Sequence, residues 1–447
     1  MKMITKIEDR RSHIQMIDLE GLVPAHHLVR KVDHVVDFNE IYDMLSGYYC
    51  EDNGRPSVDP VVLVKIVLLQ RMFGIASLRR TVSEIEVNMA YRWFLGFDFT
   101  SPVPHFATVS YAFATRFPSE AFERIFSWIL EKAIDKGLVN AKTVFIDATH
   151  VKANANKKKN RKVIAQELAK VYDQQLREEI NAERASHGKK PFENDDDGNV
   201  PPSREVTVST TDPEAGLFHK GEHKVVFAYT AHVACDEHNF VLGCEVTPGN
   251  VHDSTVFDAV YDDVVERFEE VETVTVDAGY KTPWICKKVL DDGREISAPY
   301  KRPMTKEGYF KRYEYVYDEY YDCVICPNNQ VLKYSTTNRQ GYREFKSDPK
   351  VCRSCPDLLR CTQSRNCQKV VTRHIWDSYM DQAEDFRHSV KGRSTYSMRG
   401  QTIERVFADA KEKHAMRYTL HRGLERVKNS IVLTFAAMNL KKLAMWA

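Results

Sequence analysis

The sequence has no long uninterrupted apolar run. Its most apolar stretch, around Val61 to Ala76, is broken by Lys65, Gln70 and Arg71, whereas a bilayer span needs about 20 consecutive apolar residues. It reads as a buried amphipathic helix. The opening MKMITKIEDRRSHIQMIDLEGLV has basic residues but lacks the continuous apolar segment of a secretory signal, so a cytoplasmic chain is the expectation. Net charge is also nearly absent. The 64 Lys and Arg stand against 63 Asp and Glu and leave +1, which removes any argument for a polyanionic partner from bulk charge alone. No internal repeat is visible, which excludes a solenoid.

What is present is a chain of 447 residues, 43% hydrophobic and 28% charged, the composition of globular protein with room for two or three domains. Charge is uneven where its sum is not. Lys152 to Lys162 holds six basic residues and no acidic one, and Lys391 to Lys428 holds ten basic and four acidic. Each is a candidate phosphate-facing surface, though a charge run is more often just a solvated face.

Hydrophobic spacing predicts helices through residues 1–135, with Asp59-Pro60 opening VVLVKIVLLQRMFGI and Pro102 and Pro104 marking a break. TVFIDATHVKA then reads as a buried strand that delivers an Asp at its end. Residues 152–205 read as an exposed charged insertion: lysine-rich, then helical through VIAQELAKVYDQQLREEINAERA, then acidic. HKVVFAYTAHVACDE and NFVLGCEVTPGN form a hairpin around Asp236 to Asn239. STVFDAVYDDVVERFEE is helical, VETVTVDAGY is a second buried strand ending on Asp, and EISAPYKRP is one further strand. The chain closes in two helices. This order predicts a mixed α/β fold, a sheet flanked by helices.

Three carboxylates stand out. Asp147 and Asp277 each follow four β-favouring residues, TVFI and TVTV, and each precedes a small residue, Ala148 or Ala278. In TIERVFADAKEK the apolar face is Ile403, Val406, Phe407 and Ala410; Glu404 lies at its edge and Lys411, seven residues on, projects almost the same way. Carboxylates on rigid elements suit Mg²⁺, which needs few protein ligands and keeps sites for water and phosphate. The alternative for each Asp is a cap at a strand end, and for the Glu–Lys pair a solubilising surface pair. His223, Lys224, Asn250, His252 and Asp253 cluster in the hairpin and its exit; Asp253 reads as the N-cap of the helix that follows, with a place near a metal as the other reading.

Ten cysteines are spread unevenly, with six between Cys323 and Cys367. Cys323 and Cys326 form one C-x2-C, Cys352 and Cys355 a second after 25 residues, and Cys361 and Cys367 follow. Two such knuckles point to a closed tetrahedral Zn²⁺ site, which needs four thiolates, so the six exceed the need; free buried thiols or a redox pair are the other reading. Metal would hold together a segment with little apolar sequence of its own. Lys333, Tyr334, Tyr342 and Arg343 in it are candidate DNA-facing residues.

DATHVKANANKKK, the block from His223 to Phe257, VDAGY and IERVFADAKEKHAMRYTLHRG resemble, in order, the core motifs of DDE transposases of bacterial insertion sequences. GRPSVDPVVLVKIVLLQRMFGIASLRRTVSEIEVNMAYRWFLG resembles their helical DNA-binding region. The resemblance implies a ribonuclease-H-like catalytic core in which Asp147, Asp277 and Glu404 hold Mg²⁺ or Mn²⁺. A Tyr, Arg, Glu, Lys signature resembles Tyr396, Arg399, Glu404 and Lys411, with one residue more than usual between Arg399 and Glu404; Lys411 and Arg399 would contact phosphate. Related proteins carry cysteines resembling Cys326, Cys352, Cys355 and Cys361, with Cys323 the alternative to Cys361. The implied organisation is a helical DNA-binding domain over 1–135, a catalytic domain over 136–310 and 390–447, and a zinc-binding insert over 311–375. The implied activity is metal-dependent cleavage at the ends of an insertion sequence and strand transfer into target DNA. Implied partners are double-stranded DNA, as terminal inverted repeats and target, and further copies of the chain in a synaptic complex, with no membrane, no small-molecule substrate and a nucleoid-associated location. A ribonuclease-H-like nuclease without strand transfer and a non-enzymatic, transposase-derived zinc DNA-binding protein are the rivals.

Overall fold

The computed structural model describes residues 16–50, 57–166, 172–192, 203–220, 224–301 and 305–447. The expectations for the basic opening, for Gly54 to Pro56, for the acidic stretch after Phe192 and for His223 lie outside the described residues. The chain divides into two compact units, Met1–Val139 with Val406–Ala447, and Asn140–Arg405.

The first unit is helical. Pro60–Met72 starts where Asp59 accepts the Val61 amide and Pro60 takes the first helical position, where a missing N–H costs nothing. Ser77 and Asn88 cap Leu78–Val87 and Met89–Phe94 in the same way. The last helix, Leu424–Trp446, packs against Ser119–Asp135, Leu28–Val35 and Pro60–Met72. The sequence reading gave this helix to the catalytic domain. Its buried positions, from Val427 through Phe435 to Ala444, run round the whole circumference, so it needs enclosure by several helices and finds it among the N-terminal ones. Among the described residues no helix is long and apolar enough to cross a membrane.

The second unit is built on sheets. Its strands are β1 (Thr143–Lys152), β2 (Asn160–Gln166), β3 (Ser203–Ser209), β4 (Gly216–Lys220), β5 (Lys224–Cys235), β6 (Val241–Pro248), β7 (Thr273–Val276) and β8 (Glu295–Ser297). β6 and β4 share one edge of the long strand β5; β1 takes the other edge, and β7 and β8 follow. β5 and β6 run antiparallel, joined at the foreseen hairpin, where Asn239 takes a positive φ of 65° and Asp236 accepts the Phe240 amide. β7 and β8 run parallel to β1. The central order β6-β5-β1-β7-β8, three antiparallel strands and then two parallel, is that of the ribonuclease-H fold. Helices Phe257–Arg267 and Pro283–Asp291 connect β6 to β7 and β7 to β8. The first four residues of β1 and all of β7 are buried, as continuous apolar or β-branched runs require in the middle of a covered sheet.

Two segments depart from the sequence reading. The stretch read as helix from Val163 instead opens in β2, which pairs with β3, because EVTVS supplies a β-branched partner more than 30 residues away. The helix occupies Asp173–Ser186, and it buries Leu176 and Ile180 against Trp376. The cysteine-rich segment is a five-stranded antiparallel sheet: β9 (Val316–Asp318), β10 (Cys323–Ile325), β11 (Val331–Thr337), β12 (Tyr342–Lys346) and β13 (Val370–His374). Val324, Leu332 and Phe345 form its small core.

Candidate active site

Parallel pairing of β1 with β7 brings Ile146 opposite Val276. The next residue on each strand is the Asp, so Asp147 and Asp277 emerge side by side from adjacent strands, about 5 Å apart in backbone. The Asp277 carboxylate accepts the Gly279 amide at 2.7 Å. Space there is close: a Cβ on residue 279 would stand 3.1 Å from Asp277 Oδ1 and 3.5 Å from Asp253 Oδ2. Those two distances also place Asp253 beside Asp277.

Asp147 has both oxygens engaged. One accepts the Ala148 amide at 2.7 Å and the other accepts Arg399, whose guanidinium is 8% exposed against 15% for the carboxylate. Burial raises the Asp147 carboxyl to about 6; Arg399 and the Ala148 amide pull it down, and the charges of Asp277 and Asp253 push it up again. Burial therefore outweighs a direct ion pair. Asp253 is raised by burial first and then by Asp277.

Glu404 begins helix Ile403–Lys413, whose buried face is Ile403, Val406, Phe407 and Ala410, as its spacing required. Its carboxylate is exposed. Tyr396 ties it to the strand acids: burial raises the phenol, Arg399 lowers it, and Asp277, Asp147 and Glu404 each raise it. All three carboxylates thus lie within electrostatic reach of one phenol. Arg399 lies over the Tyr396 ring at 5.7 Å and keeps Nη1 buried with no hydrogen-bond partner. Lys411 stands two turns along the same helix, in the segment that belongs to the first compact unit.

Sequence reasoning missed Tyr280 and His232. Tyr280 is fully buried, and burial together with Asp253, Asp147 and Asp277 drives its phenol well above the ordinary range. His232 meets the Tyr280 hydroxyl at 3.1 Å through Nδ1 and Thr247 at 2.9 Å through Nε2, with Asp253 at 3.9 Å. Burial, then His150, lowers the imidazole to about 4, so it stands neutral behind the acids. Tyr280 was visible inside VDAGY; His232 is one inward position of an unremarkable strand. The cap expected of Asp253 is made by His252, which accepts the Ser254 amide. Asn250 lies against Gly216, where a Cβ would meet its backbone nitrogen at 2.4 Å. Lys224 opens β5.

In the second sheet, Cys326 follows β10, Cys352 lies on helix Pro349–Arg353, Cys355 just beyond it, and Cys361 ends Leu358–Cys361. Burial raises the Cys361 thiol, and Cys352 and Cys326 lie close enough to raise it further. Asn328 donates to the Cys355 sulfur at 3.1 Å. Cys323 is buried on β10, and the charges that act on it are Asp318 and Asp322. Among the described residues no three His, Cys, Asp or Glu side chains converge tightly enough, as they stand, to hold a metal ion. Two of the proposed DNA-facing residues are spent on packing: Arg343 pairs with Asp322 and Glu183, and Tyr334 stacks on His187 at 3.8 Å. Tyr342 is exposed and Lys333 points outward from β11.

Sheet order and strand-end acids define a mixed α/β, ribonuclease-H-like core of the kind that carries DDE chemistry. The family model described as Transposase DDE domain matches residues 325–444, which include Glu404, and the one described as Transposase domain (DUF772) matches residues 17–115. Over these two stretches the chain is similar to transposases, one of the models being of the DDE type, a class of protein that acts on DNA. No curated protein compared with the chain matches it.

Proposed function

We propose that the chain cleaves the ends of its insertion sequence and joins them to target DNA, with Asp147, Asp277 and Glu404 as ligands of Mg²⁺ or Mn²⁺. The observation that carries this is the register of β1 with β7, which sets two aspartates at the same level of adjacent parallel strands. The donor set is hard oxygen, which suits these ions. The crowding of Asp147, Asp277 and Asp253, with Arg399 directly on Asp147, is an excess of negative charge that a divalent cation relieves. Each Asp147 oxygen accepts one hydrogen bond and keeps a further lone pair, so the carboxylate would hold a cation with Arg399 beside it. The Arg399 guanidinium, one nitrogen of which has no hydrogen-bond partner, would hold a DNA phosphate oxygen, and Lys411 is read as a separate phosphate contact. Bound divalent metal supplies charge stabilisation for the attacking and leaving oxygens of the phosphodiester. His232 and Tyr280, neutral and hydrogen-bonded, keep the rear of the site uncharged and fix its geometry.

The helices of residues 1–135 read the terminal repeats, and the chain works as an assembly that holds both ends. Cys326, Cys352, Cys355 and Cys361 fit a structural Zn²⁺ better than a set with Cys323, because Cys361 is within electrostatic reach of Cys352 and Cys326 whereas the charges that act on Cys323 are Asp318 and Asp322.

The test is cleavage of a labelled duplex carrying one end of the element. Wild type with Mg²⁺ should release a 3′-hydroxyl at the end, and Asp147→Asn, Asp277→Asn and Glu404→Gln should each lower the rate by 10²-fold or more, roughly the cost of losing a group that acts on the transition state, while still binding the duplex. Full activity in any of the three would overturn the assignment.

A further inference from the structure

Beyond Asp147, strand β1 continues to Lys152 and enters a tight lysine turn before β2. Lys152, Lys157, Lys158, Lys159 and Arg161 are all exposed. Among the described residues none of these five has a carboxylate partner; the run's one ion pair is Lys162 with Glu205 at 2.7 Å. A solvated surface normally intersperses charges of both signs. Here adjacent like charges are held together without compensation.

The turn is also built rigidly. Asn156 accepts the Lys158 amide on its side chain at 2.9 Å and the Lys159 amide on its carbonyl at 3.0 Å. Its own amide donates to Thr211 at 3.2 Å, and Thr210 donates to the Lys159 carbonyl at 3.0 Å. From there the tether runs inward: the Asp212 amide donates to Ser209, and Tyr229 on β5 donates to Asp212 at 2.9 Å, all three residues being buried. A fixed mount of this kind spares the ordering cost that a floppy basic tail pays on binding.

We propose that this β1–β2 turn is a phosphate clamp that grips the DNA backbone beside the cleavage site without reading its sequence. Lys152 lies five residues beyond Asp147 on one strand, about 17 Å at strand rise and about five nucleotide steps at 3.4 Å each. Duplex whose scissile phosphate sits at the acids and whose axis follows the strand would pass within reach of the turn. The proposal rests on the reading of Asp147 as the cleavage site for its location, but the clamp itself is tested without chemistry.

The experiment measures binding of the full chain to an end-containing duplex and to an unrelated duplex of equal length, across a salt series with divalent metal withheld so that no cleavage occurs. Replacing Lys157, Lys158 and Lys159 together by Gln should make the slope of log K against log salt shallower by about 2 to 3 and weaken both duplexes by the same factor. The matching triple Arg variant should keep the wild-type slope, which separates lost charge from disturbed structure. An unchanged slope in the Gln variant, or a loss confined to the end sequence, overturns the clamp. Since no bond is cut, neither result depends on whether the acids catalyse cleavage.

Discussion

Arg399 is the residue on which the candidate site turns. It neutralises Asp147 in a place where burial alone would drive the carboxyl to its neutral form, and one of its nitrogens has no partner of its own. Removing one member of a buried pair costs more than the pair contributes, because the other is left desolvated. Arg399→Ala should therefore lower stability in urea by roughly 1–3 kcal/mol when divalent metal is absent, and Mg²⁺ should recover part of that loss by taking over the role of counter-charge. Equal stability of variant and wild type under both conditions would show that the ion pair carries no weight. The same residue shows what sequence can and cannot say about a site. Arg399 was visible as a cation near Glu404, whereas its contact with Asp147, 252 positions earlier, belongs to the tertiary fold and to no local pattern.

At the level of elements, legibility followed burial. The runs TVFI and TVTV announced two covered strands, and the apolar spacing of Ile403, Val406, Phe407 and Ala410 announced the helix of Glu404. The cysteine-rich sheet was not legible: VLKYSTT and YREFK alternate weakly, and their order comes from pairing with neighbours and from helix Asp173–Ser186, whose Arg184 donates to Thr336 and to the Thr337 carbonyl. A small core of Val324, Leu332 and Phe345 leaves this sheet dependent on other stabilisation. The purified chain should contain one zinc, and Cys352→Ser should lose it and render residues 311–375 sensitive to protease; zinc-free protein of undiminished protease resistance would contradict the site. In the helical unit, His414 donates from Nδ1 to the Arg71 carbonyl at 2.8 Å, and Gly74, at φ 62°, lets the chain pass where a Cβ would stand 2.5 Å from the Lys413 carbonyl. Burial lowers His414 from 6.5 to about 4, partly offset by the Arg71 carbonyl and by Asp409, with Lys441 and Lys413 lowering it further. The unfolded chain thus binds a proton that the folded one refuses. This contribution is full above about pH 6.5 and is lost as pH falls toward 4, up to about 3 kcal/mol. Urea unfolding at pH 7.5 and pH 5 should show the decline, and His414→Gln should lessen it while His232 and His421, lowered to about 4 by burial in the same way, keep the rest; an unchanged slope would mean that His414 is not held neutral.

Across the whole molecule, one unit offers helices and the other a ribonuclease-H-like sheet with acids at its strand ends and a lysine turn farther along the strand that carries the first acid. The rival reading, a nuclease that cuts without joining, uses the same carboxylates, so cleavage does not separate the two. The direct measurement is strand transfer from a duplex already cut to expose its 3′-hydroxyl, mixed with unlabelled target DNA, Mg²⁺ and the full chain. The account predicts joined product that depends on Asp147, Asp277 and Glu404 and vanishes when the metal is chelated. Efficient end cleavage with no joined product under the same conditions, or joining that survives Asp277→Asn, would contradict it.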